Sequence, residues 1–204
     1  MPRGSRRIIR VPVEPTPDRA GSRYALVVGI DTYAPHHDDL ANARNDAVAL
    51  GQRLADDFGY AVTPLLDREA TAPAIWAVLD AWRTTTRPED DAVVFFAGHG
   101  TTLTGPGRWP EGFLVPADAG DEPRSWLAEA DLVERARTLP AQRVLLVLDA
   151  CYAGTALRLS DAVRPDTRQD QVVKILVAGT ERHPDLPPQT PVGGTIQARA
   201  CARE

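Results

Sequence analysis

Cysteine is scarce in this 204-residue chain, with Cys151 and Cys201 its whole complement. Cys151 follows an apolar strand-like segment and Cys201 lies in a polar tail, so a structural disulfide is the weaker reading and a disulfide-stapled fold loses support. Long apolar runs are missing as well. Residues 1–22 carry Arg3, Arg6, Arg7 and Arg10 but not the run of about seven apolar residues that a secretory leader needs, and no segment reaches membrane length. A cytoplasmic protein without a membrane partner is the expectation. There is no basic excess: 23 Lys and Arg stand against 28 Asp and Glu, for a net charge of -5, which gives no reason to expect nucleic acid as a partner. Lysine occurs once, at Lys174, and the arginine bias reads as codon usage rather than function. Phosphate-cradling glycine patterns, zinc-type spacings and internal repeats are absent too, so nucleotide and metal enzymes lose support.

What is present suits one globular domain. Hydrophobic residues make up 43% and charged residues 25%, and the length allows a single buried core but not two of ordinary size. Tyr24–Ile30 is a continuous apolar run and reads as a central strand of a parallel sheet. Leu40, Ala43, Ala47, Leu50, Leu54 and Phe58 recur at spacings of three and four, predicting an amphipathic helix over 40–58 with Gly59 as its stop. A strand follows at Ala61–Leu66, then a helix capped by Thr71 with Pro73 in its first turn and Ile75, Leu79 and Trp82 inward. Further strands are expected at Ala92–Phe96, Arg143–Leu148 and Val172–Ala178, with a helix at Ala130–Thr138 before the second of these. Such alternation implies a doubly wound α/β fold, a mainly parallel sheet with helices on both faces. Thr101–Glu122 and Thr155–Gln171 are rich in Gly, Pro or charge and read as long irregular loops of functional character.

In a doubly wound sheet ligands bind off the carboxyl ends of the strands. One strand there ends in Phe96-Ala97-Gly98-His99-Gly100 and another in Leu148-Asp149-Ala150-Cys151-Tyr152-Ala153-Gly154, so a histidine and a cysteine project from the same sheet edge. A thiol becomes an effective nucleophile on losing its proton, and an imidazole both takes that proton and returns it to a leaving amine. Glycines beside His99 let a substrate backbone approach, and the N–H groups of Gly100 and Cys151 suit an oxyanion. A lone thiol or lone imidazole at such a place is ordinarily structural, but here the two occur together. A caspase-type pattern places Cys after Gln-Ala with the His about 50 residues upstream; this chain has Asp149-Ala150-Cys151, 52 residues after His99.

From Arg23 to Arg182 the chain resembles the caspase-like cysteine peptidase superfamily, its metacaspase branch more than animal caspases. The features are Ala-Leu-Val-Val-Gly-Ile with Tyr33, Asn45-Asp46-Ala47, Gly98-His99-Gly100, Leu114-Val115-Pro116-Ala117-Asp118, and Asp149-Ala150-Cys151 with Gly154, in that order. The resemblance implies His99 and Cys151 as a catalytic dyad, Gly100 in the oxyanion hole, and Asp46, Asp149 and Ala97 at the substrate-binding site. Two carboxylates beside a thiolate favour a cationic guest, so cleavage after Arg or Lys in a protein or peptide substrate is expected. Arg158 and Arg168 are then natural self-processing sites, Arg164 less so because Pro165 follows it. No cofactor is required by the sequence, and calcium enters through the resemblance alone.

The domains expected are a flexible 1–22, a peptidase domain at 23–182 and a Pro-rich polar tail at 183–204, in which the C-terminal part of the fold reads as incomplete. That keeps open a catalytically impaired scaffold or interaction module as the alternative, and a small-molecule-binding α/β domain as a third reading. His36-His37-Asp38-Asp39 has metal-like composition, but adjacent histidines seldom converge on one ion, and Asp38 or Asp39 is placed to cap the following helix. His183, before Pro184, reads as solvated.

Overall fold

The run of apolar residues that opens the domain forms β1 (Arg23–Gly29), and the strands β2 (Ala61–Leu66) and β3 (Asp91–Ala97) lie parallel to it on either side. The computed structural model describes residues 21–33, 37–105, 110–151 and 171–178. Beyond β3 lie β7 (Arg143–Asp149) and β8 (Val172–Ala178), giving an all-parallel sheet in the order β2-β1-β3-β7-β8. β1 and β3 are buried on both faces, which is why both are apolar without alternation.

Helices cover the two faces through two separate clusters. Val27, Phe95 and Ala97 point to α1 (Ala43–Phe58), where they meet Ala47, with Leu50 and Leu54 packed alongside. Leu26, Val28, Val94, Phe96, Leu146 and Leu148 point the other way. They pack with Ile75, Leu79 and Trp82 of α2 (Ala72–Thr85) and with Leu132, Val133 and Ala136 of α3 (Glu129–Thr138). Emptying one such position, as in Leu146→Ala, typically costs about 2–5 kcal/mol. The expected doubly wound α/β architecture is therefore the one observed.

Local chemistry sets the helix ends. Thr71 Oγ1 accepts from the Ala74 amide at 3.3 Å, and Asp118 Oδ1 accepts from the Ala72 amide at 2.9 Å, so two side chains cap α2. Gly59 stops α1 at φ 68, where an L side chain is disfavoured.

Several expectations need correction. The helix expected from residue 40 starts at Ala43, with Asn42 at its cap position, and neither Asp38 nor Asp39 caps it. Asp31 Oδ1 instead accepts from the Arg44 amide at 3.2 Å, while Asp39 Oδ1 accepts from Tyr33. Leu40 fits the helical spacing but packs against the opposite cluster, and Phe58, at the far end of the apolar stripe, is 53% exposed. The stretch expected to be irregular over 101–122 contains strands: β4 (Gly100–Leu103) pairs antiparallel with β5 (Glu111–Leu114), which pairs with β6 (Leu127–Ala128). These strands have two to four residues, too few for periodicity to show, and their pairing partners are set by the tertiary fold. No helix among the described residues is long and apolar enough to cross a membrane.

Candidate active site

The parallel register brings the candidate residues to one edge. β3 and β7 pair in step, Ala97 opposite Asp149, so the two chains leave the sheet side by side. The Gly98 amide donates to the Asp149 carbonyl at 3.2 Å. Two residues on, the chains still touch: a Cβ added to Gly100 would fall against the carbonyl oxygen of Cys151 and within 3.1 Å of the Ala150 Cβ. Only a glycine permits that approach, so the backbones bearing His99 and Cys151 are joined at Gly100. His99 and Cys151 are both half-buried.

His99 is held from three directions. Its carbonyl accepts from the Val115 amide at 3.0 Å, next to the Gly100–Leu114 pair that begins the second sheet. Its amide donates to the Tyr33 hydroxyl at 2.7 Å. Its Nε2 lies 2.7 Å from the Asp38 carbonyl oxygen. A carbonyl only accepts, so in this contact Nε2 carries the proton and the neutral ring keeps its lone pair on Nδ1. The Tyr33 ring sits 4.7 Å from the imidazole and that of His37 6.3 Å from it.

The loop that supplies Tyr33 and Asp38 is fastened to the sheet edge by another carboxylate. Asp67 Oδ1 accepts from the amides of Asp31 and Thr32 at 2.9 and 3.2 Å, and its Oδ2 lies 3.0 Å from Arg44 Nε. Asp67 does this from φ 46, a left-handed conformation that aspartate tolerates better than most residues.

Asp149 ends β7 half-buried, and Asp46 is in the first turn of α1. Burial pushes the Asp149 carboxyl above the usual carboxylate range, and the Asp46 carboxylate pushes it further in the same direction. The two acids thus lie within electrostatic reach of each other at the sheet edge. Ala97, also expected at the substrate site, is 2% exposed and packed with Val27, Ala47 and Phe95. It ends β3 between Gly29 and Asp149 and offers almost no surface of its own.

Among the described residues no cluster of three or more His, Cys, Asp or Glu side chains is arranged for a metal ion. His36, Arg158, Arg164, Arg168, His183 and Cys201 lie outside the described residues. The sequence had pointed to His99, Cys151, Gly100, Asp46 and Asp149 but gave no role to Tyr33 or the Asp38 carbonyl. A backbone acceptor leaves no mark in side-chain pattern, and Tyr33 stands 66 residues from His99.

A family model described as caspase domain, peptidase C14, matches residues 22–198. The crystal structure of protein GSU0716 from Geobacter sulfurreducens superposes with a TM-score of 0.56 at 21% identity, covering 68% of this chain. The chain spans 54% of that protein, about half its length. The structure of pro-sf-caspase-1 aligns with a TM-score of 0.42 at 14% identity, over 91% of this chain and 64% of that one. No curated protein matches.

Proposed function

Because the chain belongs to the caspase-domain family, peptidase C14, we propose that it is a cysteine endopeptidase in which His99 and Cys151 form the dyad and cleavage follows Arg or Lys. The observation that carries the reading is the junction at Gly100, where the His99 backbone is packed against the Cys151 carbonyl. The Asp38 carbonyl supports it by leaving the lone pair on His99 Nδ1.

The chemistry then runs in two halves. His99 Nδ1 takes the Cys151 thiol proton, and the thiolate attacks the scissile carbonyl. The oxygen, now anionic, receives hydrogen bonds from the Gly100 and Cys151 amides. On collapse the imidazolium protonates the departing amine, leaving an acyl-thioester on Cys151. Water, deprotonated by the same imidazole, hydrolyses that thioester and restores the thiol. The Asp38 carbonyl stabilises the imidazolium by accepting its Nε2–H throughout.

The raised Asp149 supports the choice of substrate. Its carboxylate is destabilised by burial and by Asp46, and a guanidinium or ammonium arriving between them relieves both effects. Self-cleavage at Arg158 or Arg168 fits that preference, at positions outside the described residues.

The decisive experiment is labelling with an arginine-based, thiol-reactive peptide, with calcium and with a chelator. Labelling is expected for the native chain and expected to be lost in both Cys151→Ala and His99→Ala. Labelling that survives His99→Ala would sink the dyad. Its absence from the native chain under both conditions would favour a non-catalytic scaffold.

A further inference from the structure

Tyr33 is buried against His99, and neither the proposed reaction nor the family match assigns it work. Its hydroxyl accepts from the His99 amide at 2.7 Å, its ring lies 4.7 Å from the imidazole at an interplanar angle of 45°, and it is 9% exposed. Its own backbone is fixed, with the amide donating to Asp39 Oδ1 at 3.0 Å. The neighbouring residue is fitted to it: a Cβ on Gly98 would stand 2.5 Å from the Tyr33 hydroxyl and 3.0 Å from the Phe96 ring.

We infer that Tyr33 is a positioning residue for His99, its phenol fixing the peptide between Gly98 and His99 and thereby the imidazole and the Gly100 amide that follow. The inference rests on the peptidase reading for its kinetic consequence, although the positioning itself does not. Two restraints act on the histidine from one loop. Tyr33 holds the backbone and the Asp38 carbonyl holds Nε2, so the ring is constrained in translation and in rotation. Burial pushes the phenol above its ordinary pKa, so it stays neutral across the working range of a thiol peptidase and the restraint does not come and go with pH. A hydroxyl on a peptide amide suits this task because removing it leaves the ring packing in place while releasing the peptide.

Tyr33→Phe is the test. The expected result on an arginine fluorogenic peptide is a fall in kcat of about fivefold to tenfold with KM unchanged, since substrate binding does not involve the phenol. In parallel, nitrogen NMR of the neutral His99 imidazole is expected to show one tautomer, Nε2–H, in the native chain and a mixture in Tyr33→Phe. Native kcat together with an unchanged tautomer would overturn the inference. The two readings fail separately: if the native chain does not cleave, the peptidase proposal falls, while the tautomer still decides the positioning role. A double-mutant cycle guards against simple misfolding. Gly98→Ala drives a methyl into the hydroxyl, so its penalty is expected to shrink in the Tyr33→Phe background, and additive penalties would count against the contact.

Discussion

Strand β7 carries a charged residue at each end, and the surroundings of the two are opposite. At its amino end Arg143 donates to Asp91 Oδ2, with Arg23 Nε 3.9 Å from the same oxygen, so one acid side chain, only 12% exposed, is shared by two guanidiniums. The hydrogen bond to Asp91 raises the Arg143 pKa, as expected of a stabilised pair. At the carboxyl end Asp149 has no such cation among the described residues, and its charged neighbour is another acid, Asp46. An isolated domain has every reason to pair an acid taken out of water, as it does at the buried Asp91. Leaving Asp149 unpaired costs stability, and it makes sense where a cation is to be recruited from outside.

The strongest way to break this comparison is to remove the acid at the open end. Asp149→Asn is expected to lower kcat/KM on an arginine peptide by about 10–100-fold, the loss of one charge-assisted contact in a partly solvated site. The matching citrulline peptide, which keeps the shape without the charge, should change little. Asp46→Asn is expected to follow with a smaller loss, because Asp46 is exposed. A panel of fluorogenic peptides differing only before the cut checks this, and a native preference for Asp at that position would overturn the basic specificity.

The contrast between the ends also marks what the sequence can disclose. The strands β1, β3 and β7 were legible because continuous apolar runs bounded by turns leave few alternatives, and topology alone then set His99 and Cys151 on one edge. Asp46 and Asp149 could be suspected of meeting because one opens the first helix and the other ends a central strand. The sheet of β4, β5 and β6 was not legible, since its short strands acquire meaning only from pairing across the chain. Leu40 and Phe58 misled for a related reason: helical spacing says which residues could share a stripe, not where the sheet beneath it begins and ends. The restraints on His99 escaped altogether. One is a backbone carbonyl, and the other needs a tyrosine and a glycine far apart in sequence to be fitted to each other.

At the closed end the expected effect is on folding. Asp91→Ala strands Arg143 and Arg23 beside each other and is expected to cost about 2 kcal/mol, less than a fully buried pair because both arginines are partly solvated. Urea denaturation measures it through the transition midpoint. The preference for arginine over citrulline should be untouched, so a change in that ratio would show that the two ends of β7 are not independent.

The smallest effect is the most diagnostic, because it has the opposite sign. Asp149 has a folded pKa above its unfolded one, so its protonated form favours the native state. The stability this gives is present below the ordinary carboxylate pKa and is lost as pH rises through the raised folded value. At neutral pH the ionised group is therefore a net burden. Because the group is only half-buried and solvent screens the repulsion from Asp46, the burden is slight. Asp149→Asn should thus stabilise the substrate-free protein slightly at neutral pH, and the gain should vanish as the solution is acidified below the ordinary carboxylate range. Thermal melts of the two proteins across that window make the comparison. If Asp149→Asn is destabilising at neutral pH, the carboxylate has a partner that satisfies it, and the case for an acid held open for a substrate cation is lost.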